Sequence, residues 1–410
     1  MMPITRRNAA VSFIFITIML DMLALGMIIP VLPKLIESYT GSTAKAAEVM
    51  GIFGTAWALM QFLFSPVVGS LSDRFGRRPM VLMSNIGLGL DYILMAMAPN
   101  LAWLFVGRLI SGITAASIST SFAYIADVTP TEKRAAAFGM VGAAFGVGFV
   151  LGPALGGVLG DISPRLPFWV AAIMSLANAL YGLLVLPESL PADRRSAFSW
   201  RRANPVGALI LLKRSRSLRG FALINFIDQL AQMVYQSTFV LYGGFRYGWD
   251  SKTVGLTLTA VGLCSMIVQG VLVGRVVKAF GEKATLIIGL VFGVAGFILY
   301  GTAPTGFWFW FAIPVGSLWG LATPPLQGMM SQQVDGSEQG KLQGANTSLT
   351  GIAQLIGPGL FTATFAAAIG DDSHLPVGIA FLISAMLVAT ALIVALWTIR
   401  QVLVQPAPAE

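Results

Sequence analysis

Val81-Leu-Met-Ser-Asn-Ile-Gly-Leu-Gly-Leu-Asp91-Tyr-Ile-Leu-Met-Ala-Met97 decides the fold class, because it is an apolar run with one acid in its middle. It follows a charged loop, Gly69-Ser-Leu-Ser-Asp73-Arg-Phe-Gly76-Arg-Arg-Pro79. A carboxylate at the centre of a bilayer costs about 3 kcal/mol or more, so a chain that keeps one there uses it, most often to move protons or ions. Asp21 interrupts the apolar run 9–32 in the same way, Asp228 the run 221–242, and Arg108 the run 101–124. Three acids and one base in such positions describe a transport path better than a scaffold.

Working outward, the whole chain has the same character. Of its 410 residues 56% are hydrophobic and only 11% charged, with a mean hydropathy of +0.78. That is too little charge to solvate the surface of a water-soluble protein this long. Stretches of about 20 residues, the length that crosses a bilayer, read at 9–33, 46–70, 80–98, 101–124, 135–160, 166–187, 218–243, 252–278, 284–303, 306–330, 342–369 and 375–399. The expected fold is an all-α membrane protein of twelve transmembrane helices. A β-barrel is excluded, since its strands are shorter and alternate apolar with polar residues.

An even number of spans puts both termini on one side. Of the 26 Lys and Arg residues, twenty then fall on the side of the termini, five on the other, and Arg108 within a span. Basic loops stay cytoplasmic, so both termini are expected there. The net charge of +8 follows from this topology and implies no nucleic-acid partner. Arg6 and Arg7 before an apolar stretch imitate a signal peptide, but the stretch is too long, carries Asp21 and lacks a small-residue cleavage site. Cys264 is the only cysteine and can form no intrachain disulfide; His374, the only histidine, reads as a solvated loop residue.

Residues 188–217 break the pattern with Pro187-Glu-Ser-Leu-Pro191, Trp200-Arg-Arg202 and Lys213-Arg-Ser-Arg216. They read as a basic linker between an N-terminal half, 1–187, and a C-terminal half, 218–410. The halves repeat at a fixed offset of 205 residues: Gly69 matches Gly274, Phe75-Gly76 matches Phe280-Gly281, Trp103 matches Trp308, and Gly152-Pro153 matches Gly357-Pro358. Two parallel six-helix halves with a substrate path at their interface follow from that repeat.

The motifs resemble the major facilitator superfamily, and in detail its tetracycline efflux proteins among the drug:proton antiporters. The resemblance covers nearly the whole chain. Gly69-x-Leu71-Ser-Asp73-Arg-x-Gly76-Arg-Arg78-Pro is similar to the superfamily's loop signature, and Leu104-x-x-x-Arg108-x-x-x-Gly112 to its proton-coupling motif. Gly148-x-x-x-Gly152-Pro153-x-x-Gly156-Gly157 resembles the motif of antiporters. Leu20-Asp21, Pro30-Val-Leu-Pro33, Ala58-Leu-Met-Gln61, Leu90-Asp91-Tyr92 and Leu326-Gln327-Gly328 resemble the tetracycline type. The resemblance also implies an acid in span nine and a histidine in span eight, where this chain has Gly293 and Ser265. Asp228 in span seven stands where those proteins have a small residue, so the charge of the C-terminal half is expected to have moved helices.

Each candidate residue has a functional and a bland reading. Asp91 and Asp21 load and release a proton, or are satisfied by hydrogen bonds between helices. Arg108 cannot lose its charge and needs a partner, for which Asp21 on a facing helix is expected. Asn225, Asp228, Gln232 and Gln236 fall on one helical face, expected to line a cavity where amides meet an oxygen-rich substrate and Asp228 meets a cation or proton. Gln61 and Gln327 are weaker substrate contacts. In the loop, Asp73 is expected at a neighbouring helix N-terminus and Arg77 paired with Asp127, a latch that holds one conformation. Gly69, Arg74, Gly76 and Arg78 belong to it, although Arg74 and Arg78 equally suit a topology signal. Gly148, Gly152, Gly156 and Gly157 let helices approach, and Pro153 is expected to kink its helix.

No nucleotide-binding loop or His/Cys cluster is present, so no enzyme activity, metal site or cofactor is expected, and the proton gradient supplies the energy. The substrate itself can carry a divalent cation such as Mg. The expected function is proton-coupled export of a small amphipathic drug, tetracycline included, by a monomer in the bacterial inner membrane. A uniporter or symporter of a natural metabolite, and a non-transporting receptor or sensor, are the alternatives.

Overall fold

Apolar residues with internally satisfied backbones have one way to cross lipid as single segments, the helix, and helix is what this chain forms. The computed structural model describes residues 4–115, 118–129, 134–196, 198, 207–335, 338–370 and 373–404, and no strand occurs among them. The α-helices are α1 (Ile4–Ile28), α2 (Leu32–Thr40), α3 (Thr43–Phe75), α4 (Arg77–Met97), α5 (Leu101–Thr114), α6 (Ile118–Val128), α7 (Arg134–Ile162) and α8 (Leu166–Val185). After the linker come α9 (Arg216–Ser237), α10 (Phe239–Tyr247), α11 (Ser251–Ile267), α12 (Val273–Thr302), α13 (Gly306–Ser317), α14 (Thr323–Ser331), α15 (Gln339–Ala368) and α16 (Ile379–Val404). Trp200-Arg-Arg202 of the expected linker lies outside the described residues.

Every expected span lies on these helices, but several are broken into pieces. The span 218–243 is shared by α9 and α10, and 306–330 by α13, a 3₁₀ turn at Leu318–Leu321 and α14. The span 252–278 contains a π-turn at Val268–Leu272. Among the described residues eight stretches are long and apolar enough to cross a membrane; the longest, Ser251–Thr302, is interrupted at Gly281, whose backbone is not helical, and so holds two of the expected spans. Leu184, Ile162 and Phe307 are more than 70% exposed, as suits side chains that face lipid.

Two compact units emerge: one of residues 1–42, 56–205 and 249–259, the other of 43–55, 206–248 and 260–410. In the first, α1 packs on α7 and α4 on α8. The glycines of α7 explain the closeness of the first pair. A Cβ on Gly152 would stand 2.7 Å from the Cα of Gly26, and one on Gly148 would stand 2.6 Å from the Cβ of Met22. Gly156 meets the backbone of Met27, while Gly157 faces Ser251 and Gly255 of α11. The helix is continuous through Pro153, and Gly26 lies beside the proline ring and leaves it room. Phe13, Ile14, Ile18, Tyr124 and Val141 fill the core between α1, α4, α6 and α7.

In the second unit the corresponding pairs are α9 with α15 and α12 with α16. Gly357, the repeat partner of Gly152, again removes a side chain at the contact, since its Cβ would collide with Met233. An aromatic core of Tyr235, Phe297, Tyr300, Phe309 and Phe381 holds this unit together. The repeat extends to backbone conformation. Gly76 and Gly281 both adopt a positive φ, 106° and 79°, which glycine alone accepts without strain.

The α1–α7 contact predicts a stability effect. Gly152→Val should lower stability by about 1–3 kcal/mol, the range for overpacked cores, because the obstructing atoms are backbone and cannot turn aside. Thermal unfolding in detergent should show this as a clear fall in Tm, while Gly142→Val, where a Cβ meets nothing within 4 Å, should leave Tm nearly unchanged.

Candidate functional site

In the first unit α1 carries Asp21, α4 carries Asp91 and α5 carries Arg108. Asp91 is 1% exposed and neither carboxylate oxygen has a hydrogen-bond partner; Oδ1 of Asp21 and Nε of Arg108 also lack one. The Arg108 guanidinium lies over Trp57, 5.3 Å from the ring centre. The expected pairing with Asp21 is not observed: no ion pair joins the two among the described residues, and the acid whose charge acts on Arg108 is Asp91. Gly107 brings α5 close to that acid. A Cβ there would lie 2.9 Å from Oδ1 of Asp91, so its absence lets α5 close onto α4 beside the carboxylate.

In the second unit the polar stripe of α9 divides. Asp228, 6% exposed, accepts a 2.7 Å hydrogen bond from Nε1 of Trp319 in the 3₁₀ turn. The indole lies directly over Gly293, where an added Cβ would stand 2.6 Å from ring atom Cδ1. A glycine in α12 and an acid in α9 are thus joined through one tryptophan.

Asn225 does not line an open cavity as expected. Gln327 donates to it at 3.3 Å, it donates to Asn346 at 3.4 Å, and Asn346 donates back to Gln327 at 2.9 Å. The three amides close a ring in which each donates once and accepts once. Asn225 is consequently 2% exposed, with an amide N–H and O engaged inside the unit. Gln229 donates to the Thr350 hydroxyl at 2.9 Å, whereas Gln232 and Gln236, one and two turns further along, stay exposed. Gln61 is half-buried on α3.

The loop between α3 and α4 is held by α6 and the start of the linker. Arg77 bonds Asp73 at 2.5 Å, Asp127 at 3.1 Å and the Ser72 hydroxyl at 2.6 Å, so the expected Arg77–Asp127 pair is present. The acid at the α4 N-terminus is Glu188 and not Asp73. One oxygen of Glu188 accepts from the backbone N–H groups of Arg77, Ser189 and Leu190 at 2.8, 3.0 and 3.0 Å. Gly76 makes this possible, since a Cβ would clash with that carboxylate. Asp73 is at the last turn of α3, where the dipole disfavours an anion, and Arg77 offsets it. Arg78 caps the Leu183 carbonyl at 2.8 Å; Arg74 is exposed and lies over Phe75. A Cβ on Gly69 would meet nothing, so no close approach requires that glycine.

Sequence reasoning missed Glu188, Trp319, Asn346 and Thr350. Pro187-Glu-Ser-Leu-Pro191 held a signal for the first, an acid between two prolines directly after a span. Trp319 carried the weaker one of an N–H donor in an apolar run.

The Major Facilitator Superfamily family model matches residues 14–358 and 221–410. The chain is 39% identical to "Tetracycline resistance protein, class C" of Escherichia coli, over 88% of this chain and 91% of that protein. It is 33% identical to the class H protein of Pasteurella multocida, over 95% and 96%. Among solved structures, the human organic anion transporter MFSD10 superposes with a TM-score of 0.70 at 24% identity, covering 96% of this chain and all of that one. The nucleoside transporter NupG does so with 0.76 at 13%, covering 95% and 99%. With this fold and these relatives, the chain belongs to the major facilitator superfamily and to the family of the tetracycline resistance proteins, and is a multi-pass membrane transporter, not an enzyme.

Proposed function

We propose that the protein exports a small amphipathic drug of the tetracycline kind from the cytoplasm in exchange for protons, by alternating access. The observation that carries this reading is Asp91, a buried carboxyl with both oxygens free of protein partners beside the fixed charge of Arg108. A structural acid would be hydrogen-bonded, because leaving a buried polar group unsatisfied costs about 1–3 kcal/mol and more for a charge. An unpartnered acid suits a group whose partner is a proton that comes and goes. Asp21 is its companion on α1. The names of the relatives support the drug class, and the twenty basic residues on the side of the termini support a cytoplasmic location for both ends in a bacterial inner membrane.

Substrate contact falls to the exposed Gln232 and Gln236, with Asp228 as the acid that meets a cationic or Mg-chelated drug and Trp319 as the residue that aims it. Asn225 and Gln327 shape that region through the amide ring. The protein works as a monomer, the first unit providing Asp21 and Asp91 and the second Asp228. The Asp73–Arg77–Asp127 group, braced by Glu188, is the latch.

In proteoliposomes, Asp91→Asn should retain drug binding and lose substrate-evoked proton release, since the amide fills similar space without titrating; wild-type coupling in this variant would remove Asp91 from the mechanism. Trp319→Phe keeps the ring and deletes the bond to Asp228. It should weaken binding of a Mg–tetracycline complex roughly tenfold, as expected for a charge-assisted bond of about 1.5 kcal/mol, and leave proton coupling intact. For the latch, Glu188→Ala orphans three backbone donors and should cost about 1–3 kcal/mol in thermal unfolding, whereas Asp73→Asn removes one part-exposed pair and should cost at most about 1 kcal/mol. A larger loss with Asp73→Asn would return the helix-capping role to that residue.

A further inference from the structure

At the start of α9 two arginines, Arg216 and Arg219, lie nearly one turn apart and both are exposed. On α16, Trp397 faces them, its ring centre 5.0 Å from the Arg216 guanidinium. With Gly220, Leu223 and Val394 these residues line a cleft of about 500 Å³ that none of the groups described above enters. No acid lines the cleft, and neither arginine forms a salt bridge among the described residues. The neighbouring Arg214 is different, being paired with Asp335 and Glu338. Among the described residues, then, two cations without an acidic partner stand beside an apolar wall.

The walls have an order. The arginines are at the end of the span, Trp397 beside them, and Leu223, 46% exposed, one turn deeper along α9. Gly220 forms a floor without a side chain, since a Cβ would collide with Thr398 of α16. A guanidinium lying over an indole keeps N–H donors free for the oxygens of an anion. Tryptophan and arginine together are the side chains that settle at headgroup depth. Positive charge at the rim and an apolar slot below match a ligand that is an anionic phosphate at one end and hydrocarbon at the other.

We propose that this cleft binds an anionic phospholipid, its phosphate between Arg216 and Arg219 and an acyl chain along Leu223 and Val394. The occupant comes from the bilayer: a free phosphate has no use for the apolar slot, and a zwitterionic lipid returns a positive charge to a site that already has two.

The test is native mass spectrometry of the purified full-length protein with phosphatidylglycerol, phosphatidylcholine or inorganic phosphate added. Wild-type protein should keep phosphatidylglycerol at collision energies that strip phosphatidylcholine, and inorganic phosphate should not displace it. The double variant R216Q/R219Q should lose about tenfold or more of that retention, while Arg246→Gln, an exposed arginine elsewhere, should keep it. Leu223→Trp leaves both charges and fills the slot, and should lose retention as well. Undiminished retention in R216Q/R219Q, equal retention of the two lipids by wild type, displacement by phosphate, or full retention in Leu223→Trp would each overturn the proposal.

Discussion

A charge taken out of water must find a partner or carry the cost of having none, and each half of this molecule answers that demand differently. Asp228 is given a donor, the indole of Trp319. Asp91 is given nothing that bonds its oxygens, only the nearby positive field of Arg108. The first arrangement fixes a carboxylate in one orientation. The second leaves it open to whatever enters. Helix packing serves both, for Gly107 admits the carboxylate of Asp91 and Gly293 admits the ring that holds Asp228.

The helices and the repeat were legible because they are written in local signals. Apolar runs near 20 residues, the 205-residue offset and the glycines of α7 each depend on neighbours in sequence, and the close backbone contacts at Gly148, Gly152 and Gly156 follow from them. The contacts of the site were less legible. The amide ring joins Asn225 to residues 102 and 121 positions away, and the Trp319–Asp228 bond spans 91. One helix read by itself presents an amide as a free donor, and only packing reveals that another amide has taken it. Glu188 displaced Asp73 as the helix-end acceptor for the same reason. Its reach to the Arg77 amide spans 111 residues and depends on a φ that no spacing discloses.

The repeat also shows which parts of the fold tolerate change. Gly76 and Gly281 keep the same unusual backbone, yet only the first faces a carboxylate; a Cβ on Gly281 would meet nothing. The turn was kept in both copies while the charged brace around it persisted in one. Arg214 with Asp335 and Glu338 forms a separate charged group in the second unit, between the segment before α9 and the segment before α15. Backbone geometry is thus what the two copies share here, and side-chain charge is where they differ.

The second span of each half carries one more consequence. Pro66 lies inside α3, and the equivalent position in the repeat, Val271, lies in the π-turn Val268–Leu272. Proline omits an N–H from the helical ladder, and a π-turn stretches the ladder by one residue, so both helices lack a regular rung at the same position of the repeat. A helix bends most easily where its ladder is interrupted. The two copies have therefore kept a point of compliance while exchanging the chemistry that creates it, and replacing Pro66 by alanine would stiffen one half of the molecule and leave the other still able to yield.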